Sequence, residues 1–309
     1  YQGDAEKWLK LAYGLKARYT MHLLKRSANK DADMEKVLEY VDNSFESAEE
    51  QAAFDVYDAN NINPLYGFFV ARAGLGASES MRSKLAEYND PRLSRAFITK
   101  QGASGKEQAP GTADNAVYAP NGSPEQGTSK YGTSLFMYSI SAPTLLLSYH
   151  ELKFLEAEAL CRLGRDAKSA LKDAVVAGLL NAESSFSVSR KELGKDLINP
   201  AASITEAEAE SYFDNTVEAK YTAEPLKTTM TQKYFALWGA SGEATESYND
   251  VRRMKGLGEN FIELKNPNSF PLRCPYGNSD TTTNAEVKAA YGNGQYVYSE
   301  NVWWAGGSR

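Results

Sequence analysis

The chain has 309 residues, 42% of them apolar and 24% charged, an ordinary globular composition that excludes a disordered chain. Its 34 basic and 40 acidic residues leave a net charge of -6. With no cationic excess to displace counterions, a nucleic acid is excluded as partner. No window of 18 apolar residues occurs, so no segment reads as a membrane-spanning helix. Two cysteines, Cys161 and Cys274, and two histidines, His22 and His150, are too few for a Cys/His zinc cluster or a haem-attachment motif. Cys161 falls on an apolar helical face and reads as a small core residue. Tyrosine is the composition signal that points to function: 19 Tyr stand against 12 Phe and four Trp. Such rings give a flat apolar face with a polar tip, which suits amphipathic ligands such as sugars and peptides.

The chain opens on Tyr1-Gln2-Gly3-Asp4 with no initiator Met, signal segment or lipid-accepting Cys, which reads as a processed chain or as the C-terminal part of a longer one. Residues 5–27 have the spacing of an amphipathic helix, with Trp8, Leu11, Ala12, Leu15, Tyr19 and Leu23 on its core stripe. A second helix is predicted over residues 33–42, capped by Asp31 or Asp33. Residues 54–77 lose the helical period around Asn60-Asn61-Ile62-Asn63-Pro64, a turn signal, and a short helix starts at Ser78. Residues 101–134 hold six glycines and three prolines without a hydrophobic period, and read as a long irregular loop of the kind that carries function.

Helical spacing returns at Leu145 to Leu163, with Pro143 at its first turn and Gly164 as its stop. Asp166 caps an Ala-rich helix to about Leu180, which makes an αα-hairpin of the pair. Thr205 and Glu208 form a capping box for a helix to about Tyr221. Further helices are predicted over residues 225–238, with Gly239 ending the run, and from Glu243 to Met254. From Gly256 onward the chain reads as loops with a short hairpin. The expected fold is mostly α, as a single domain, because no linker-like tract separates two cores.

Several chemistries fail on inspection. There is no G-x-S-x-G elbow, no Walker-type phosphate loop, and no second His four positions from His150. His150 reads as a satisfied, half-buried helix residue. Glu151, Glu156 and Arg252-Arg253 read as helix-surface or scaffold ion pairs rather than acid/base groups. No EF-hand spacing is present.

Five segments, in order, resemble the SusD/RagB family of outer-membrane proteins. The stretch Lys7-Trp8-Leu9-Lys10-Leu11-Ala12 through Leu15-Lys16-Ala17-Arg18-Tyr19 is similar to that family's first conserved helix. Asp90-Pro91-Arg92-Leu93 follows, and then Ser148-Tyr149-His150-Glu151-Leu152-Lys153-Phe154-Leu155-Glu156-Ala157-Glu158-Ala159. The fourth is Gln232-Lys233-Tyr234-Phe235-Ala236-Leu237-Trp238-Gly239 with Glu246-Ser247-Tyr248-Asn249-Asp250-Val251-Arg252-Arg253. The fifth is Phe270-Pro271-Leu272-Arg273-Cys274-Pro275-Tyr276. Gly14 and His150 depart from the pattern, and the family's signal, lipidated Cys and first helices are not in this sequence.

The resemblance implies a tetratricopeptide-like helical scaffold with long irregular loops, in a single SusD/RagB-like domain over residues 1–309. It implies a non-catalytic, lipid-anchored protein on the extracellular face of the outer membrane. There it would bind oligosaccharides, or peptides in a RagB-like version, and deliver them to a SusC-like TonB-dependent transporter. The lipid anchor would be its only membrane contact. No cofactor and no metal are implied. A helical glycoside hydrolase with a carboxylate pair and a protein-binding helical adaptor are the other readings.

The candidate ligand rings come from irregular segments: Tyr66, Phe68, Tyr118, Tyr131, Trp303 and Trp304. Trp8 and Trp238 fall on predicted core faces and are expected to be structural. The acidic balance disfavours polyanionic glycans. Two or three ring platforms predict affinities from about micromolar to millimolar.

Overall fold

A computed structural model describes residues 1–72, 75–101, 105–109, 117–123, 130–239 and 242–307. The chain forms two compact units, Tyr1–Leu264 and Lys265–Arg309. Unit 1 is a mostly α, tetratricopeptide-like scaffold. Its first helix, α1 (Ala5–His22), starts where the Asp4 carboxylate accepts the backbone N–H of Glu6 and Lys7 at 3.0 and 3.2 Å. Helix α2 (Lys30–Asp42) is capped by Asn29 rather than Asp31 or Asp33. Strand β1 (Ala52–Phe54), α3 (Pro64–Arg72) and α4 (Glu79–Glu87) follow, and Ser78 caps α4 as expected.

The next stretch is extended. β2 (Phe97–Gln101) and β3 (Gly105–Ala109) pair antiparallel, β4 (Thr133–Ser134) adds to β2, and β6 (Leu197–Ile198) adds parallel to β3. β5 (Thr144–Leu147) pairs antiparallel with β1. Then come α5 (Tyr149–Arg162), α6 (Lys168–Leu193), α7 (Glu206–Tyr212) and, after a π-type turn at Phe213–Val217, α8 (Glu218–Ala223). α9 (Pro225–Ala236) and α10 (Ala244–Leu257) complete the unit's helices.

Helix α5 organises the unit because it is buried on opposite faces. Leu152, Leu155 and Ala159 pack into a core with Leu11, Met21, Met34 and Val37 of α1 and α2. Phe154 and Ala157 pack into a second core with Leu171, Leu179, Phe213 and Phe235. A helix apolar on two sides belongs in an interior. The αα-hairpin of α5 and α6 forms as expected. Leu163 ends α5, Gly164 turns the chain at φ +68°, and Asp166 accepts the Lys168 N–H at 3.0 Å.

Unit 2 contains α11 (Asn278–Thr283) and α12 (Ala285–Tyr291), with Tyr276 and Tyr291 stacked at 4.3 Å between centroids.

The differences from expectation have local causes. Residues 64–72 are helical after all: Pro64 occupies the first turn, where its missing N–H costs nothing. Strand β3 (residues 105–109), paired antiparallel with β2, lies inside the stretch expected to be irregular. Residues 102–104, 110–116 and 124–129 of that stretch lie outside the described residues. Pro143 is not in a first turn. Thr144–Leu147 is a strand, and α5 begins after Ser148, whose hydroxyl accepts the Glu151 N–H at 3.0 Å. The tail after Gly256 carries short helices instead of a hairpin.

Candidate functional site

The polar residues of the family-like segments converge in the interior of unit 1. Arg18 of α1 donates from Nε to Glu151 Oε1 at 2.8 Å, from Nη2 to the Leu146 carbonyl at 2.9 Å, and from Nη2 to Glu243 Oε1 at 3.3 Å. Arg253 of α10 donates from Nη2 to Glu158 Oε2 at 2.8 Å and to Asp250 Oδ1 at 2.7 Å. Lys233 Nζ reaches Asp250 Oδ2 at 2.8 Å, and Arg162 Nε donates to Glu158 Oε1 at 2.7 Å. Arg92 forks onto Asp90 at 2.8 and 2.6 Å. Glu151 and Glu158 are fully buried, and Lys233 is 2% exposed. Buried charges persist only when paired and hydrogen-bonded, so this network joins α1, α5, α9 and α10. Burial works against ionisation of Glu158, yet Arg253 and Arg162 hold its carboxyl well below the usual range. The expected scaffold role therefore holds for Glu151 and Arg253, which sit inside the unit. Glu156 is half-buried beside Lys153.

Next to this network lies a cleft of about 530 Å³, within the range of small-ligand sites. One wall is a face of α6 at helical spacing, where Val176, Ala177 and Leu180 give an apolar strip and Asn181, Ser184 and Ser185 a polar edge. Residues 46–51, the first turn of α3 and the 139–145 segment close other sides. Tyr149 supplies a ring, and its backbone N–H is held by Gln51 Oε1 at 3.2 Å. His150, Asn63, Phe136 and Leu145 are its most buried lining residues.

Two glycines beside the cleft hold positive φ. Gly239 and Gly242 have φ of +77° and +93°. A Cβ on Gly239 would meet the Phe136 ring at 2.3 Å, and one on Gly242 the Leu145 carbonyl oxygen at 2.2 Å. Glu243 follows, and its Oε1 accepts the Ser148 N–H at 2.5 Å. Burial, with Glu151 beside it, holds the Glu243 carboxyl well above the usual range. His150 is 1% exposed, and burial pushes it down to about 4. It is not the satisfied, half-buried residue expected: its Nε2 makes no hydrogen bond and lies 3.9 Å from Glu243 Oε2, which makes none either.

The six candidate rings do not gather in one place. Tyr66 and Phe68 lie on α3 rather than in a loop, and Asn63 and Leu65 beside them line the cleft. Tyr66 donates weakly to Glu192 Oε1 at 3.4 Å, and Phe68 is 52% exposed. Tyr118 is half-buried, edge-on to Phe97 at 5.3 Å, with the Arg82 guanidinium 5.2 Å from its ring centre. Tyr131 is 5% exposed, with the Lys130 ammonium 5.3 Å from its ring centre. Trp303 belongs to unit 2 and is 71% exposed; the Trp304 side chain lies outside the described residues. Trp238 is structural as expected, packed on Phe97 and Phe136 at 5.4 and 5.1 Å. Trp8 is not in a core: it is 55% exposed, edge-on to Tyr1. Sequence reasoning missed Tyr149 as a cleft residue, because it read the position as part of a helix interior rather than its first residue. Among the described residues, no cluster of three His, Cys, Asp or Glu side chains is placed to hold a metal ion.

Comparison with known proteins gives this arrangement a lineage. Residues 1–276 match a SusD-like family model described as "Starch-binding associating with outer membrane". No curated protein matches. A solved SusD/RagB family protein from Bacteroides thetaiotaomicron is 66% identical, with a TM-score of 0.93 over 100% of this chain and 66% of that one. A SusD homolog from Bacteroides fragilis is 21% identical (TM-score 0.64) over 93% of this chain and 65% of its own. One from Bacteroides uniformis is also 21% identical (TM-score 0.61), over 99% and 66%. The latter two speak for the fold alone, and this chain spans about two thirds of each of these relatives. The chain belongs to the SusD/RagB family.

Proposed function

We propose that unit 1 captures an oligosaccharide in the cleft beside α6, at the outer membrane, and releases it unaltered to a SusC-like TonB-dependent transporter. The observation that carries this reading is the cleft's amphipathic lining. Apolar C–H faces of a sugar suit Tyr149, Val176 and Leu180, and its hydroxyls suit Gln51, Asn181 and Ser184. The family's description supports starch-like cargo and outer-membrane association. Residues 1–309 form one SusD/RagB-like domain in this reading, since the B. thetaiotaomicron relative aligns with the whole chain. Its attachment is a lipid anchor. No helix among the described residues is long and apolar enough to cross a membrane.

Of the sequence-derived rings, Tyr66 and Phe68 remain part of the proposal, because their helix borders the cleft. Trp303 stays a second contact point for ligand or transporter. Tyr118 and Tyr131 serve the scaffold, since packing covers their rings. The absence of catalysis is also proposed. Of the four cleft carboxylates, Glu46 and Asp173 lie beside Lys10 and Lys153, and Glu206 and Glu210 lie one turn apart on a single exposed face of α7, whereas glycoside hydrolysis needs a pair on opposite sides of the scissile bond.

Titration of neutral oligosaccharides, including maltooligosaccharides, tests the reading, with peptides of matched size as the alternative cargo. Dissociation constants from about micromolar to millimolar are expected. Tyr149→Ala should weaken binding roughly tenfold, the worth of one ring contact. Binding of peptides but not of glycans would replace the cargo and keep the cleft.

A further inference from the structure

Five charged side chains line the cleft, and only one is cationic: Glu46, Asp173, Glu206 and Glu210 stand against Lys172. That lysine hydrogen-bonds Asp214, with its Nζ at 2.7 and 3.0 Å, and also feels Glu210. Two of the acids are balanced by neighbours, since Lys10 reaches Glu46 at 3.0 Å and Lys153 lies 3.6 Å from Asp173. Glu206 and Glu210 are different. They are exposed, four residues apart on the cleft-facing side of α7, and no ion pair binds either in the described structure. Their neighbour Glu208 turns away to Arg95 at 2.8 Å. A concave wall of low polarizability concentrates the field of such charges, so the cleft interior is negative. The one imidazole among the lining residues, His150, is held uncharged near pH 7, and its unpartnered Nε2 lies 3.9 Å from Glu243 Oε2.

We infer that the cleft is selective by ligand charge: it admits neutral and amine-bearing saccharides and rejects uronate and sulfated ones, with Glu206 and Glu210 as the discriminating residues. The inference rests on the glycan reading above and deepens it. A ligand carboxylate or sulfate entering the cavity meets two carboxylates without an ion-pair partner, and the one cation among the lining residues, Lys172, is held on Asp214 with Glu210 in its field. A hexosamine ammonium meets the same pair as partners. The discrimination acts across a solvated mouth, so salt screens it.

The test is a glycan array carrying neutral, amine-bearing, uronate-bearing and sulfated oligosaccharides, probed with the wild type and with the Glu206→Gln/Glu210→Gln double variant. Both positions are exposed, so the variant keeps the fold, which its thermal midpoint verifies. Bound members are expected to be neutral or amine-bearing, with anionic members at least about tenfold weaker at low salt. The double variant should narrow that gap severalfold, and about 0.5 M salt should narrow it in the wild type. Uronate or sulfated members bound as tightly as neutral ones, or a gap unchanged in the variant, would overturn this inference and leave the glycan reading standing. An array with no bound member would overturn the glycan reading, and this inference with it.

Discussion

Glu156 and Glu158 sit two positions apart on α5 and lead different lives. Glu156 shares a partly buried pair with Lys153, whereas Glu158 is fully buried between Arg253 and Arg162. Removing one partner of a buried pair leaves the other charge stranded, so Glu158→Ala should cost about 3–5 kcal/mol. Glu156→Ala should cost under about 1 kcal/mol. Urea midpoints at pH 7 decide it, and equal losses would contradict the network. His150 gives a pH signature. Its imidazole protonates near 6.5 when unfolded and near 4 when folded, because burial depresses it against the pull of Glu151. The unfolded chain therefore binds the proton first as pH falls, and the folded state loses stability between about 6.5 and 4, by about 3 kcal/mol. Glu243 runs the other way: its raised carboxyl favours the folded state at low pH and loses that contribution as pH rises. His150→Leu should flatten the acid-side loss in a denaturation series from pH 7 to 4; an unchanged slope would show that His150 is not its source.

At the scale of elements, the spacing in the sequence located α1, α5, α6 and α9, since each carries a periodic apolar face. It misplaced what each face meets. Of the predicted stripe, Leu11 and Leu15 do pack into the core, yet in the described structure Trp8, Ala12, Tyr19 and Leu23 are exposed, and Ala17 and Met21 are buried in their place. Two offset apolar stripes share α1, and periodicity alone cannot tell which one is covered. Trp8→Ala should accordingly cost under about 1 kcal/mol in unit 1, read as a urea midpoint. Short strands such as β1 and β5 depend on a partner distant in sequence, and so left no local signal. The glycine pair beside the cleft is the opposite case. Gly242→Ala forces a Cβ against the Leu145 backbone at positive φ and should cost about 2–4 kcal/mol in thermal or chemical melts.

For the whole molecule, the family was legible and the site was not, for one physical reason. The residues that carry the resemblance, Arg18, Asp90, Glu151, Glu158, Lys233, Asp250 and Arg253, are interior groups that hold the helices in register. The cleft is assembled from α3, α6, α7, the start of α5 and loops far apart in sequence, and of its lining residues only Tyr149, His150 and Gly239 fall in the family-like segments. In the proposed function this cavity, and not a loop tip, grips a glycan. Hydrogen exchange of the protein with and without a bound oligosaccharide tests that most directly. Slowed exchange is expected in residues 46–51, at the start of α3 and along 172–185 of α6. Slowing confined to residues 117–123 or to the segment around Trp303, with the α6 face unchanged, would contradict it.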